Sequence, residues 1–119
     1  MGRCGAVRYL RRYGIVGLLV LCVPLANAEP DLGKGRFLVM DRQKGNCLAC
    51  HQIADGKFPG NIGPPLVDMR KRFVEAEQLF AQIWDATQFN AQTVMPPYGR
   101  NKILTQEEIN HIVEFLYSL

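Results

Sequence analysis

Cys47-Leu48-Ala49-Cys50-His51 sets two thiols and an imidazole within five consecutive residues. This C-x-x-C-H spacing reads as a c-type haem attachment site. Two thiols on one helical turn can each add to one vinyl group of the haem. The next residue, His51, then lies under the iron, and its ring nitrogen supplies the proximal ligand. A thioredoxin-like redox pair would need a βαβ setting, which the pattern of the chain lacks. A zinc site would need a fourth ligand, and the only other histidine is His111. A chain built on this motif is therefore expected to wrap one covalent haem c.

The rest of the sequence sets the size of that wrapping. Of the 119 residues, 48% are apolar and 21% charged, ordinary values for a globular domain. Arg8, Arg11 and Arg12 precede an uncharged run from Tyr13 to Ala28 that ends in Pro24 and Ala26-Asn27-Ala28. That order of basic, apolar and small residues is a secretory signal. The run is shorter than the ~20 residues a membrane span takes. Residues 1–28 are thus expected to be a cleaved signal peptide and residues 29–119 a single haem domain in the periplasm, with no membrane attachment after cleavage. The net charge of +3 is unevenly placed: residues 29–119 carry ten basic and eleven acidic side chains. The basic balance belongs to the leader and gives no argument for nucleic-acid binding. Cys4 and Cys22 leave with the leader, so the short remaining chain has only Cys47 and Cys50 for a staple.

The expected fold is all-α, with a few short helices and long loops. Asp31 to about Arg42 reads as a first helix, with Leu32, Phe37 and Met40 as apolar markers and Gly33 as a point of close helix approach. Asn61 to Leu66 is extended because each proline disfavours helix in the residue before it. Ala76, Leu79, Phe80, Ile83 and Trp84 predict an amphipathic helix over about Glu75 to Ala86. Phe89 to Asn101 reads as a loop. Thr105-x-x-Glu108 is a capping box that opens a last helix, with Ile109, Ile112, Val113, Phe115 and Leu116 as its buried stripe. Loops this long in a small domain are expected where the chain wraps something.

A six-coordinate iron needs a second axial ligand. Met40, Met69, Met95 and His111 are the candidates. Met95 lies 44 residues beyond His51, and Pro96 and Pro97 lock the backbone beside it. Met95 is therefore assigned, with Met40 and Met69 read as core residues and His111 as a solvated surface residue. The other ring nitrogen of His51 needs an acceptor. The Pro64 carbonyl is the expected one, and Leu66 is expected to cover the haem edge. Tyr98 could either pack within the chain or face a partner.

Gly33 and Phe37, the C-x-x-C-H motif, Gly63-Pro64, a distal methionine and an aromatic last helix together resemble the class I cytochromes c. Within that superfamily the chain resembles the SoxX family. The resemblance rests on residues 45–51, 58–66, Gln82-Ile-Trp-Asp-Ala-Thr87, Thr93-Val-Met-Pro-Pro-Tyr-Gly99 and Ile103-Leu-Thr105. It runs from about Asp31 to Leu119. It implies a small class I cytochrome c fold in which the first and last helices cross, Gly33 and Phe37 meeting Phe115.

The resemblance also implies a role. SoxX proteins are the monohaem, electron-transfer subunits of SoxAX, an L-cysteine S-thiosulfotransferase of sulfur oxidation. SoxAX couples thiosulfate oxidatively to a cysteine of the carrier SoxYZ. The implied partners are a SoxA-type haem subunit bearing the catalytic cysteine, in a heterodimer, and transiently SoxYZ and a small soluble cytochrome c. No catalytic residue is expected on this chain. A stand-alone electron carrier is the alternative. A gas- or redox-sensing haem domain is a third class, against which Met95 argues.

Overall fold

Asp31 opens the first helix by accepting a hydrogen bond from the Lys34 amide, 3.0 Å away, on its side chain. The computed structural model describes residues 31–119, and the expected signal peptide over residues 1–28 lies outside the described residues. The described chain forms four α-helices: α1 (Leu32–Met40), α2 (Met69–Arg72), α3 (Ala76–Trp84) and α4 (Gln106–Leu116). Single 3₁₀ turns occupy Cys47–Ala49 and Ala86–Gln88. No strand occurs among the described residues. The chain is all-α, with long loops, as the sequence predicts.

The helix termini follow local chemistry. At α4, Thr105 Oγ1 accepts from the Glu108 amide at 3.1 Å, and the Glu108 carboxylate accepts from the Thr105 amide at 2.8 Å. The capping box is complete, and the predicted stripe of Ile109, Ile112, Val113, Phe115 and Leu116 is buried. In α3 the buried residues are Leu79 and Ile83, while Phe80 and Trp84 stack with ring centroids 5.8 Å apart. α3 stops at Trp84 because Asp85 turns to φ −157°, and its side chain accepts from the Thr87 amide.

α1 packs against α4, as expected, but on a different face. Leu32 is 41% exposed and Phe37 64% exposed, whereas Gly35, Leu38 and Val39 are buried. The close approach falls at Gly35, not at Gly33. A Cβ on Gly35 would lie 2.1 Å from the His111 carbonyl oxygen and 2.7 Å from Phe115 Cβ. Of the three apolar markers read from sequence, Leu32 and Phe37 are exposed, while Met40 is half-buried against the core. Two backbones that nearly touch select the face with the smallest residue, even when larger apolar side chains lie elsewhere. Lys34–Glu107 and Lys44–Glu108 pairs, each 2.8 Å, flank the crossing.

His111 also departs from expectation. It sits at this crossing, half-buried, with Nδ1 buried and without a hydrogen-bond partner. α2 was not visible in the sequence, since four residues are too few to show a period. It is tied to the chain end by Tyr117 Oη, which donates to the Phe73 carbonyl at 2.9 Å. Arg70 Nε donates to the Tyr117 carbonyl, and its guanidinium lies 4.7 Å from the Tyr117 ring centre.

Candidate haem site

The motif turn is held by its own backbone. The His51 amide donates to the Cys47 carbonyl at 2.9 Å, and Asn46 before it adopts φ 47°. Asparagine is among the few residues that tolerate this left-handed conformation. Backbone hydrogen bonds then lace this segment to the proline loop: Gly60 donates to Leu48, Gly63 to Cys50 and Leu66 to Gln52, at 2.8 to 2.9 Å.

That lacing brings His51 Nδ1 2.7 Å from the Pro64 carbonyl oxygen. A carbonyl only accepts, so Nδ1 carries the proton and donates. In the neutral imidazole this leaves Nε2 as the nitrogen whose lone pair can bind a metal. Gly63 leaves room for the ring, because a Cβ there would lie 2.3 Å from His51 Cε1. Arg72 Nη1 donates to the neighbouring Pro65 carbonyl at 2.7 Å, fixing the loop from the α2 side.

Cys47, Cys50, His51, Pro64, Leu66 and Met95 all border one cavity of about 340 Å³ with largely apolar walls. Cys47 and Cys50 are free thiols. Burial chiefly, with the nearby Cys50 adding, pushes the Cys47 thiol up to about 12 against the opposing pull of its backbone hydrogen bond. Leu66 is 7% exposed and forms part of the wall. Among the described residues no three His, Cys, Asp or Glu side chains converge as a metal site.

Met69 borders the same cavity as Met95. Its sulfur already accepts from Arg72 Nη1 at 3.4 Å, and the residue is 1% exposed. Met95 is half-buried, with its amide held by Thr93 Oγ1 at 3.1 Å. Met40 is half-buried beside the core and does not border the cavity.

Tyr98 packs inward. It is 8% exposed, and its hydroxyl donates to the Gly45 carbonyl at 2.6 Å, so the interface reading for this side chain falls. Burial pushes its phenol upward. This bond joins the methionine loop to the strip just before the cysteines. Arg72 and Gln82 are polar residues of the cavity wall that the sequence reading missed. Arg72 lies in no motif, Gln82 opens one of the blocks that resemble SoxX without being singled out there, and the packing of α2 and α3 brings both to the cavity.

The residues present fit a haem bound through two thioethers. Two unpaired thiols, an imidazole with one nitrogen already committed and a thioether sulfur share one apolar cavity. The volume lies in the range of small-molecule and cofactor pockets, ~300–1,000 Å³.

Comparison with known proteins identifies the family. The family described as cytochrome C oxidase, cbb3-type, subunit III matches residues 39–116, a span that includes every bordering residue named above. An uncharacterized lipoprotein of Aquifex aeolicus (strain VF5) is 32% identical over 77 residues. The aligned part is 63% of this chain but only 37% of that protein, so the chain spans little more than a third of its relative's length. A chain in the crystal structure of SoxXA from P. pantotrophus is 28% identical with a TM-score of 0.67, covering 81% of this chain and 86% of that one. With most of its length matched and its donors gathered in one cavity, the chain belongs to the c-type cytochrome family described as cytochrome C oxidase, cbb3-type, subunit III, and it is a SoxX-like cytochrome c with a haem electron-transfer role.

Proposed function

We propose that this chain is the electron-transfer subunit of a SoxAX-type L-cysteine S-thiosulfotransferase, working in the periplasm beside a SoxA-type haem subunit. The observation that carries the reading is the likeness to a chain of SoxXA over 81% of this one. Export is supported by the leader pattern of residues 1–28. It also agrees with the description of the Aquifex aeolicus relative as a lipoprotein. Among the described residues no helix is long and apolar enough to cross a membrane.

When bound, haem c supplies reversible one-electron chemistry. The chain's residues do the rest. Cys47 and Cys50 anchor the group as thioethers. His51, turned by Pro64, presents Nε2, and Met95 presents a sulfur. Leu66 and the apolar walls exclude water. Val94 is 76% exposed, and with Pro64 and Pro96 it gives the cavity an apolar rim that suits close approach of a redox partner. In the overall reaction a carrier thiol and thiosulfate form an S–S bond with loss of one proton and two electrons. The S–S bond joins thiosulfate to the SoxYZ cysteine at the SoxA-type partner, because after residue 28 this chain has no cysteine besides Cys47 and Cys50. The electrons leave one at a time through this chain to a small soluble cytochrome c.

Co-expression with a SoxA-type subunit and a haem-attachment system tests the reading. The expected result is co-elution as a heterodimer. This chain should have a mass of one haem beyond a polypeptide starting near Glu29, retained in acid acetone. Elution of this chain alone, haem attached, would leave a stand-alone carrier.

A further inference from the structure

Asp85 is a buried carboxylate that the haem site does not use. Its side chain is 5% exposed, and it does not border the cavity. Oδ2 accepts from Arg100 Nη1 at 2.8 Å. Oδ1 accepts from the Thr87 hydroxyl at 2.6 Å and the Thr87 amide at 3.2 Å. Arg100 Nη1 also donates to Thr87 Oγ1 at 3.2 Å. The Thr87 hydroxyl chiefly holds the Asp85 carboxyl below the ordinary aspartate range, helped by the Thr87 amide and Arg100 and opposed by burial.

Burying a carboxylate is costly, and an ion pair whose cation is half exposed is weak grounds for added stability. The best-attested use of a buried charge is to select one arrangement of the chain. The arrangement selected here is a closed loop. Beside the ion pair, the Gly99 and Arg100 amides both donate to the Trp84 carbonyl, at 3.1 and 3.2 Å. Residues 84–85 and 99–100 are thus joined by two backbone bonds and one charged pair. Between the two ends lie Met95, the rigid Pro96-Pro97 and Tyr98, whose hydroxyl reaches Gly45.

We propose that Asp85 and Arg100 are positioning residues that close the 86–98 loop and so determine how firmly Met95 presents its sulfur as the distal ligand. The proposal rests on the His51/Met95 reading. A sulfur on a closed loop acts at high effective concentration, and opening the loop lowers that concentration. An added ligand binds the iron only in the fraction of molecules whose sulfur is displaced, so its apparent affinity reports that fraction.

The test is imidazole binding to the oxidised holoprotein, followed through loss of the weak near-infrared sulfur-to-iron band. Asp85→Asn and Arg100→Gln should each bind imidazole about tenfold more tightly, or about 1.4 kcal/mol. Arg100→Lys, which keeps the charge, should restore most of the wild-type value. Arg100 is 54% exposed, so its variants keep the test available if Asp85→Asn fails to fold. Val39→Ala, a buried α1 site away from the cavity, should lower stability and leave imidazole affinity unchanged. If the wild-type protein has no sulfur-to-iron band, both the ligand reading and this proposal fall. If the band is present but Asp85→Asn and Arg100→Gln bind imidazole as the wild type does, the proposal alone falls. Equal tightening in Val39→Ala would reduce the effect to general destabilisation and would also overturn it.

Discussion

Two methionine sulfurs share the cavity with His51, and their surroundings separate them. Met69 is fully buried and its sulfur is taken by Arg72, whereas Met95 is half-buried on a loop stiffened by Pro96 and Pro97. A sulfur locked in the core must break a contact to reach a metal, while Met95 need only keep its place. Met95→Ala is therefore expected to abolish the near-infrared sulfur-to-iron band and to lower the reduction potential, because methionine ligation raises it. Met69→Ala is expected to keep the band and lose stability by about 2–5 kcal/mol, as large-to-small core changes do. Spectra and redox titration of the two oxidised variants decide it; loss of the band in Met69→Ala alone would exchange the two roles.

At the scale of elements, the α1–α4 crossing frames the cavity from behind, since Ile112 and Leu116 of α4 border it. Among the features that hold α4 are the capping box at its start and the close approach of Gly35 to the His111 backbone. They differ in kind. Thr105→Ala removes one capping acceptor and is expected to cost about 1 kcal/mol. Gly35→Ala inserts a methyl where backbone atoms leave no space, so the helices must part. It is expected to cost the more of the two, within or above the ~1–3 kcal/mol typical of overpacking. Denaturant unfolding of the holoproteins would rank them; equal or reversed costs would mean that the helices separate easily.

Across the whole molecule, carboxylates tie together parts of the chain that are distant in sequence. Glu107 pairs with Lys34 and Glu108 with Lys44, while Asp85 joins the two ends of the methionine loop. Hydrogen bonding leads in each case. Lys34 holds Glu107 below its ordinary value of 4.5, Lys44 does the same for Glu108, and Thr87 holds Asp85 below 3.8. A carboxyl depressed in the folded state binds fewer protons there than in the unfolded chain. Its stabilisation is therefore complete above the ordinary value and is lost as pH falls through the folded one. Thermal midpoints should stay level from about pH 7 to about pH 5 and fall below that. Glu108→Gln should shallow the fall. The exposed Lys34–Glu107 pair should matter least, because solvent screens it. A midpoint that instead declines between pH 7 and 5 would show that groups other than these three carboxylates control acid stability.

The features legible in the sequence are those in which neighbouring residues make their own chemistry. The C-x-x-C-H turn, the Thr105–Glu108 capping box and the rigid Met-Pro-Pro segment each depend on covalent spacing of a few residues, which no packing can alter. The stripe of α4 was legible because one helix period repeats along it. Tertiary structure alone decided the rest. Gly35 rather than Gly33 faces α4, Phe37 points to solvent, Tyr98 turns inward to Gly45, and Arg72 and Gln82 reach the cavity. Asp85 and Arg100 meet only when the loop between them closes. Each of these depends on which surface of one element finds which surface of another. That choice is made by shape at the contact, such as the missing Cβ of Gly35, and a local pattern of apolar residues does not encode it.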